Sequence, residues 1–180
     1  MRAASAGVVN TMSFSPVTIV CKSPHHGNTL KVADAMAGVL GAQVLTPEEA
    51  DAEALAGCEL LGLGSGIYFG RHHQTIRELA DRAALLPPRV FIFSTAGTPW
   101  MHALFHRSLR RKLARRGCEI LGEFTCRGWD TVGPLALFGG LNRRHPDELD
   151  LAAAADFARG VKARANTPAN DGPAVDVGQT

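Results

Sequence analysis

An α/β/α sandwich on a five-stranded parallel sheet is the fold this sequence predicts, and three observations predict it. Short β-branched or apolar runs alternate with segments of helical periodicity from Val17 to about Ala163. Each run changes abruptly to small, polar or glycine-bearing residues, as strands do where they leave a sheet. The third run is apolar on both faces, the mark of a central strand covered by helices on each side. The 180 residues, 46% hydrophobic and 20% charged, suffice for one domain with a sizeable core.

Taken in order, Val17 to Cys21 is a β-branched strand closed by a Pro/Gly-bearing loop. Leu30, Ala33, Met36, Ala37 and Leu40 then recur at helical spacing over Thr29 to Leu40. Gly41 ends that helix, since glycine accepts the positive φ of a helix C-cap, and Ala42 to Leu45 is a short second strand. Glu59 to Gly64 is the third strand, followed by a glycine-rich loop. A helix from about His72 to Ala84 stops at Pro87 and Pro88. Arg89 to Phe93 is the fourth strand, and a basic helix from about Met101 to Arg116 leads through Gly117 to a fifth, Cys118 to Phe124. Asp147 to Ala163 forms the last helix, with Pro146 ahead of it and acids in its first turn.

Residues 17–165 are therefore read as the domain, 1–16 as a flexible leader without a signal-peptide pattern, and 166–180 as a disordered tail of Ala, Pro, Gly and Asp. No apolar run reaches membrane-spanning length, so no membrane span is expected. Cys21, Cys58, Cys118 and Cys126 form no CxxC pair, which points to a reducing, cytoplasmic setting. Cys126 lies beyond the predicted fifth strand and is the most plausible exposed thiol of the four, although a buried inert cysteine is the commoner outcome. The net charge is only +2, yet Arg107, Arg110, Arg111, Lys112, Arg115 and Arg116 crowd one helix. Such a run suits an acidic partner or is a solvated helix face. Nothing in it calls for nucleic acid. His72, His73, His102 and His106 lack a carboxylate or cysteine at ligand spacing, so they are read as surface histidines and no metal is expected. A phosphatase Cys-x5-Arg is absent from Cys21 and from Cys126 alike.

In a doubly wound parallel sheet, ligands bind beyond the carboxyl ends of the strands where strand order reverses, which selects three loops. The first, Lys22 to Thr29, combines hydroxyls, Gly27 and the free N–H groups of a helix start, a cradle for a phosphate dianion. It is neither a Walker loop nor a GxGxxG turn. A Gly-Asn-Thr there is also an ordinary helix N-terminus; its place after the first strand favours the phosphate. The second, Gly64 to His73, offers three glycines for a close backbone path and the rings of Tyr68 and Phe69 for a flat ligand. The third, Ser94-Thr95-Ala96-Gly97-Thr98-Pro99-Trp100, offers backbone groups to ring heteroatoms and one large aromatic. Together they describe a site for a phosphorylated planar ring system.

These blocks carry a resemblance. Ser23 to Thr29 resembles the Ser/Thr-x-Thr-Gly-x-Thr phosphate loop of flavodoxins, and Val17 to about Ala163 is similar to flavodoxin-family proteins of bacteria. The similarity extends to a subgroup with His25-His26-Gly27-Asn28-Thr29, Gly64 to Gly70, and Cys126 followed by Asp130-Thr131-Val132-Gly133-Pro134. The resemblance implies the strand order 2-1-3-4-5 and the cofactor FMN. It implies Ser23, His25, His26, Gly27, Asn28 and Thr29 around the phosphate, with Ser65, Gly66, Ile67, Tyr68, Phe69, Gly70, Ser94, Thr95, Ala96, Gly97 and Trp100 around the isoalloxazine. His26 departs from the pattern, replacing the threonine before the glycine with an imidazole that can carry charge near a phosphate.

The function so implied is a redox protein that transfers electrons to a partner protein or uses NAD(P)H to reduce a small-molecule acceptor such as a quinone. No side chain need be catalytic, because the flavin performs the chemistry. The alternative is a flavin-free binding or regulatory module on the same fold. The Gly/Pro-rich stretch 127–145 is open to two readings, a flavin cover or a homodimer contact.

Overall fold

Five parallel strands whose order reverses beside the first strand set the topology, and in such sheets the ligand-binding edge lies beyond the carboxyl ends of the strands. The computed structural model describes residues 17–24, 26–82, 86–129 and 142–167. They form β1 (Val17–Lys22), α1 (Asn28–Leu40), β2 (Gln43–Leu45), β3 (Leu60–Tyr68), β4 (Arg71–His72), α2 (Gln74–Arg82), β5 (Arg89–Ala96), a 3-10 turn (Pro99–Met101), α3 (His102–Arg115), β6 (Glu119–Arg127) and α4 (Glu148–Ala165). The main sheet runs β2-β1-β3-β5-β6, all parallel. Counting those five strands in chain order, this is the expected 2-1-3-4-5. The sixth, β4, was not expected and pairs antiparallel with the end of β3.

Alternation along the strands splits the core in two. Ile19, Phe91 and Phe93 face α1 and α4, where Val32, Met36, Ala154, Ala158 and Val161 receive them. Val20, Leu61, Leu63, Val90 and Ile92 face α2 and α3, against Ile76, Leu79, Leu109 and Leu113. Each fully buried Phe or Leu contributes roughly 2–3 kcal/mol of apolar transfer, so the two layers carry most of the stabilisation. Gly62 and Gly64 in β3 have a packing reason. They pair in register with Phe91 and Phe93, and a Cβ on either would fall 2.4 Å or 2.1 Å from the neighbouring ring. The phenylalanines of β5 thus lie across a strand that has given up its side chains on that face.

Helix ends follow the sequence signals. Gly41 is left-handed and its N–H closes α1 onto the Ala37 carbonyl at 2.8 Å. Asp147 caps α4, accepting from the Asp150 N–H at 3.0 Å while Asp150 accepts from the Asp147 N–H at 3.1 Å. Such a reciprocal cap stabilises a helix by about 1 kcal/mol. The expected leader lies outside the described residues. So do residues 168–180 of the expected tail, and 130–141 of the Gly/Pro-rich stretch.

Three expectations are corrected. β3 runs on to Tyr68, β5 to Ala96 and β6 to Arg127: parallel pairing carries β5 and β6 through small and hydroxyl residues and β3 as far as Gly66, and antiparallel pairing with β4 carries β3 over Ile67 and Tyr68. The helix expected from His72 starts at Gln74, since His72 belongs to β4. Cys126 lies inside β6 rather than beyond it, and of the two outcomes open to it the structure has the buried one; burial, then the charges of Asp150 and Asp147, push its thiol up to about 12. It is an inert core cysteine.

Candidate functional site

The loop between β1 and α1 is bonded inward at almost every polar group. His26 and Gly27 both take left-handed backbone, with φ of 55° and 65°, bending the chain sharply into the helix. Gly27 is the N-cap and brings no capping side chain of its own, and no acid lies in the first turn. That start therefore keeps its positive dipole end unneutralised by its own residues. Ser23 Oγ accepts from the Thr29 N–H at 3.2 Å. The Thr29 hydroxyl meets that of Thr95 at 2.8 Å, linking this loop to the end of β5. Asn28 Nδ2 donates to the Trp129 carbonyl at 2.9 Å, and the His26 ring stacks on the Trp129 indole at 3.8 Å. Gly128 permits the approach, because a Cβ there would lie 2.9 Å from Thr95. His25 lies outside the described residues.

The second segment is a hairpin, which explains its glycine. Ile67 pairs with His72 and Tyr68 with Arg71, leaving Phe69 and Gly70 at the tip with φ of 50° and 75°. Two successive positive φ values are the signature of a type I′ turn, whose twist suits adjoining strands. Gly70 adopts this freely; Phe69 does so against its Cβ, at a cost of about 1–2 kcal/mol. Its ring is 96% exposed. Tyr68 meets the His73 ring edge-on at 5.5 Å. Behind the hairpin, a groove of about 620 Å³ runs past Pro24, Tyr68, His73 and Arg77.

At the third segment Ser94, Thr95 and Ala96 lie within β5, Gly97 accepts from Asn142 Nδ2 at 3.1 Å, and Trp100 stands 72% exposed on the 3-10 turn. Of the seventeen expected ligand residues, the structure thus brings the first loop and the end of β5 into direct contact through Thr29 and Thr95. Tyr68, Phe69 and Trp100 are set on the rim.

Sequence reasoning missed what lies beneath. His72 and His106, expected on the surface, are buried, with ring centroids 4.8 Å apart. The Ser65 hydroxyl donates to the Gly66 carbonyl at 2.8 Å, so at 3.0 Å it accepts from His72 Nδ1. His72 Nε2 is then the bare nitrogen, and it has no partner among the described residues. His106 Nδ1 donates to Glu123 Oε2 at 2.9 Å, and its Nε2 lies 2.8 Å from Ser94 Oγ and 3.2 Å from Thr125 Oγ1. Arg110 closes the far side of Glu123 with two bonds of 2.5 and 2.8 Å. Burial lowers both histidines, His72 strongly, the neighbouring His106 adding to it. Burial pushes the Glu123 carboxyl up, but the Arg110 and His106 hydrogen bonds outweigh it and leave it below the usual range.

Serine, histidine and carboxylate in a line would suit acyl transfer, but Ser94 and His106 are fully buried and no substrate reaches the hydroxyl. The network instead fixes α3 and β6 to the end of β5. One signal could have found it: His106 falls on the same helical stripe as Leu109 and Leu113.

A flavodoxin-domain family model matches residues 19–116, more than half of the chain. An uncharacterized protein of Methanocaldococcus jannaschii is 44% identical over 143 residues, which is 79% of this chain and 95% of that one. The chain belongs to the flavodoxin family. Among solved structures it is similar to a flavodoxin from the domain Archaea (TM-score 0.63, 13% identity, covering 84% of this chain and 99% of that one). Oxidised flavodoxin 2 from Bacillus cereus gives a TM-score of 0.62 at 19% identity over 82% of this chain and 98% of that one. A WrbA-like flavodoxin protein from Agrobacterium tumefaciens gives 0.57 at 16% over 83% and 96%. At these identities the structures establish the shared fold. Membership of the flavodoxin family makes this a flavin-binding type of redox protein. No helix among the described residues is long and apolar enough to cross a membrane.

Proposed function

We propose that this flavodoxin-family chain binds FMN and transfers electrons between the flavin and a partner. The observation that carries the reading is the start of α1 at the carboxyl end of β1: left-handed His26 and Gly27 lead into it, Gly27 brings no capping side chain and no acid lies in the first turn, so its N–H groups suit an anion. Those N–H groups, Ser23 and the His25/His26 pair would hold the phosphate. Asn28 and Thr29 would act from behind it, since their side chains are engaged by Trp129 and Thr95. The ring would lie against Gly66 to Gly70 on one side and Ala96, Gly97 and Trp100 on the other, with the buried Ser65, Ser94 and Thr95 supporting those segments from beneath. When bound, FMN supplies the electron or hydride chemistry; the chain's residues bind it, orient it and set its electrostatic surroundings. The exposed Phe69 and Trp100 leave that rim open to a protein, which favours an electron carrier over an NAD(P)H-dependent reductase of a quinone-like acceptor. Four buried, unpaired cysteines suit a reducing, cytoplasmic setting.

A second reading is supported by one observation. His26 stacks on Trp129 and the Thr29 hydroxyl is already bonded, so the loop is closed on itself as in a binding module without flavin. The test is to mix purified protein with FMN, desalt it and record the visible spectrum, then add NADPH without oxygen. Retained flavin bands that NADPH leaves oxidised are expected. Bands bleached within seconds would establish the reductase, and a colourless protein the flavin-free module.

A further inference from the structure

A shallow groove of about 560 Å³ lies between the hairpin tip and α3, and its walls are of two kinds. Phe69 and Leu104, both exposed, form the end nearest the flavin rim. Arg71, Arg107, Arg111 and Arg115 form the rest, all exposed and none ion-paired among the described residues. By contrast Lys112 is paired to Asp81 and Arg110 to Glu123. The residues at 104, 107, 111 and 115 fall on one helical stripe, so α3 presents a continuous ridge with an apolar head and a cationic tail.

The charge of the whole chain sharpens this. Residues 101–116 carry six Arg or Lys and no acid, while the chain totals +2, so the remainder carries −4. Positive charge is thus concentrated on α3 in a chain whose other residues are net acidic, and such an asymmetry orients an incoming partner as well as attracting it. A short cationic stripe of this kind suits a compact acidic patch better than a long polyanion.

We propose that this ridge docks an acidic electron-transfer protein, with Phe69 and Leu104 as the desolvated centre and Arg71, Arg107, Arg111 and Arg115 as the steering rim. The proposal rests on the redox reading of the same rim. On this reading the strained, 96% exposed Phe69 has a role: the ring is held out for the partner to cover. Interfaces of this class are small and owe their rate and selectivity to charge more than to area.

The probes are an acidic plant-type ferredoxin, basic cytochrome c and a single-stranded oligonucleotide, each titrated calorimetrically into the full chain with and without FMN. Ferredoxin is expected to bind, cytochrome c to bind at least tenfold more weakly. Ferredoxin affinity should fall at least tenfold as salt rises from about 0.01 to about 0.15 M, which shortens the screening length from roughly 30 to roughly 8 Å. Joint Arg107→Glu, Arg111→Glu and Arg115→Glu should abolish ferredoxin binding with FMN affinity and thermal midpoint unchanged. The milder joint change to Gln should lose at least fivefold, which covers a charge-reversed chain that fails to fold. Ferredoxin binding that is absent, or indifferent to salt and to these changes, overturns the docking face. Tighter binding of the oligonucleotide than of ferredoxin at about 0.15 M salt overturns it too. FMN uptake in the same samples is a separate readout, so loss of the redox reading is visible even where docking holds.

Discussion

The carboxyl edge of the sheet has an inner tier and an outer rim, and they are built in opposite ways. In the inner tier Thr29 and Thr95 bond each other, and Ser94, His106, Glu123 and Arg110 form a chain of hydrogen bonds, nearly all shielded from water. On the rim Phe69 and Trp100 stand in solvent, one of them on strained backbone. The same few residues of each strand supply both: Ser94 and Thr95 point inward, and Trp100 follows them outward. The difference teaches a division of labour. Positions that hold a ligand's anchor must not move, so their polar groups are satisfied by the protein itself. Positions that meet a partner keep surface to desolvate later, and they carry the strain.

Breaking the inner tier should cost most. Glu123→Ala strands Arg110 and His106, and we expect a loss of about 3 kcal/mol in denaturant-midpoint measurements. Thr95→Val leaves the buried Thr29 hydroxyl unpaired and should cost about 2 kcal/mol. The double change Thr29→Val with Thr95→Val should cost less than the sum of the two singles, and strict additivity would show that the hydroxyl pair is not coupled.

Acid should probe the same tier. His72 and His106 have folded values below the unfolded one, so the unfolded chain takes up protons first as pH falls and stability drops below about pH 6.5. The stability present above that pH is lost towards the lower folded values, at up to about 1.4 kcal/mol per pH unit for each histidine. Glu123, also lowered, adds to the loss further into acid. Thermal melts from pH 7 to pH 5 should show the decline, and His72→Gln should flatten it. An unchanged slope in that variant would mean that His72 is not the buried neutral group described.

The rim should be cheap to alter. Phe69→Asn places a residue that tolerates left-handed backbone at the hairpin tip, and stability should stay within about 0.5 kcal/mol of the parent or rise. A large loss would show that the exposed ring is a packing element after all.

The inner tier was also the part least legible in the sequence. The order of strands and helices could be read because each element carried its own periodicity, from Val17 to Cys21 through to the acidic start of α4. Strand ends could not, because Ser65, Ser94 and Thr95 are turn formers that here continue a ladder paired on both sides. His106 read as a surface residue because no carboxylate or cysteine stands at ligand spacing from it in sequence, and only the partner strand β6, carrying Glu123 and Thr125, makes its burial tolerable. Gly64 read as the first glycine of a ligand loop and Gly62 as a strand residue without a reason of its own, while the close contacts of both are the rings of Phe91 and Phe93. Local signals reported elements; what each polar residue does depended on contacts dozens of residues away.

The most direct test of the account compares FMN with riboflavin by quenching of flavin fluorescence on titration with the full chain. The two differ only in the phosphate that the start of α1 is proposed to hold. The account predicts one FMN per chain, bound at least a hundredfold more tightly than riboflavin, about 2.7 kcal/mol of discrimination. Equal affinity for the two, or binding of neither, would contradict it.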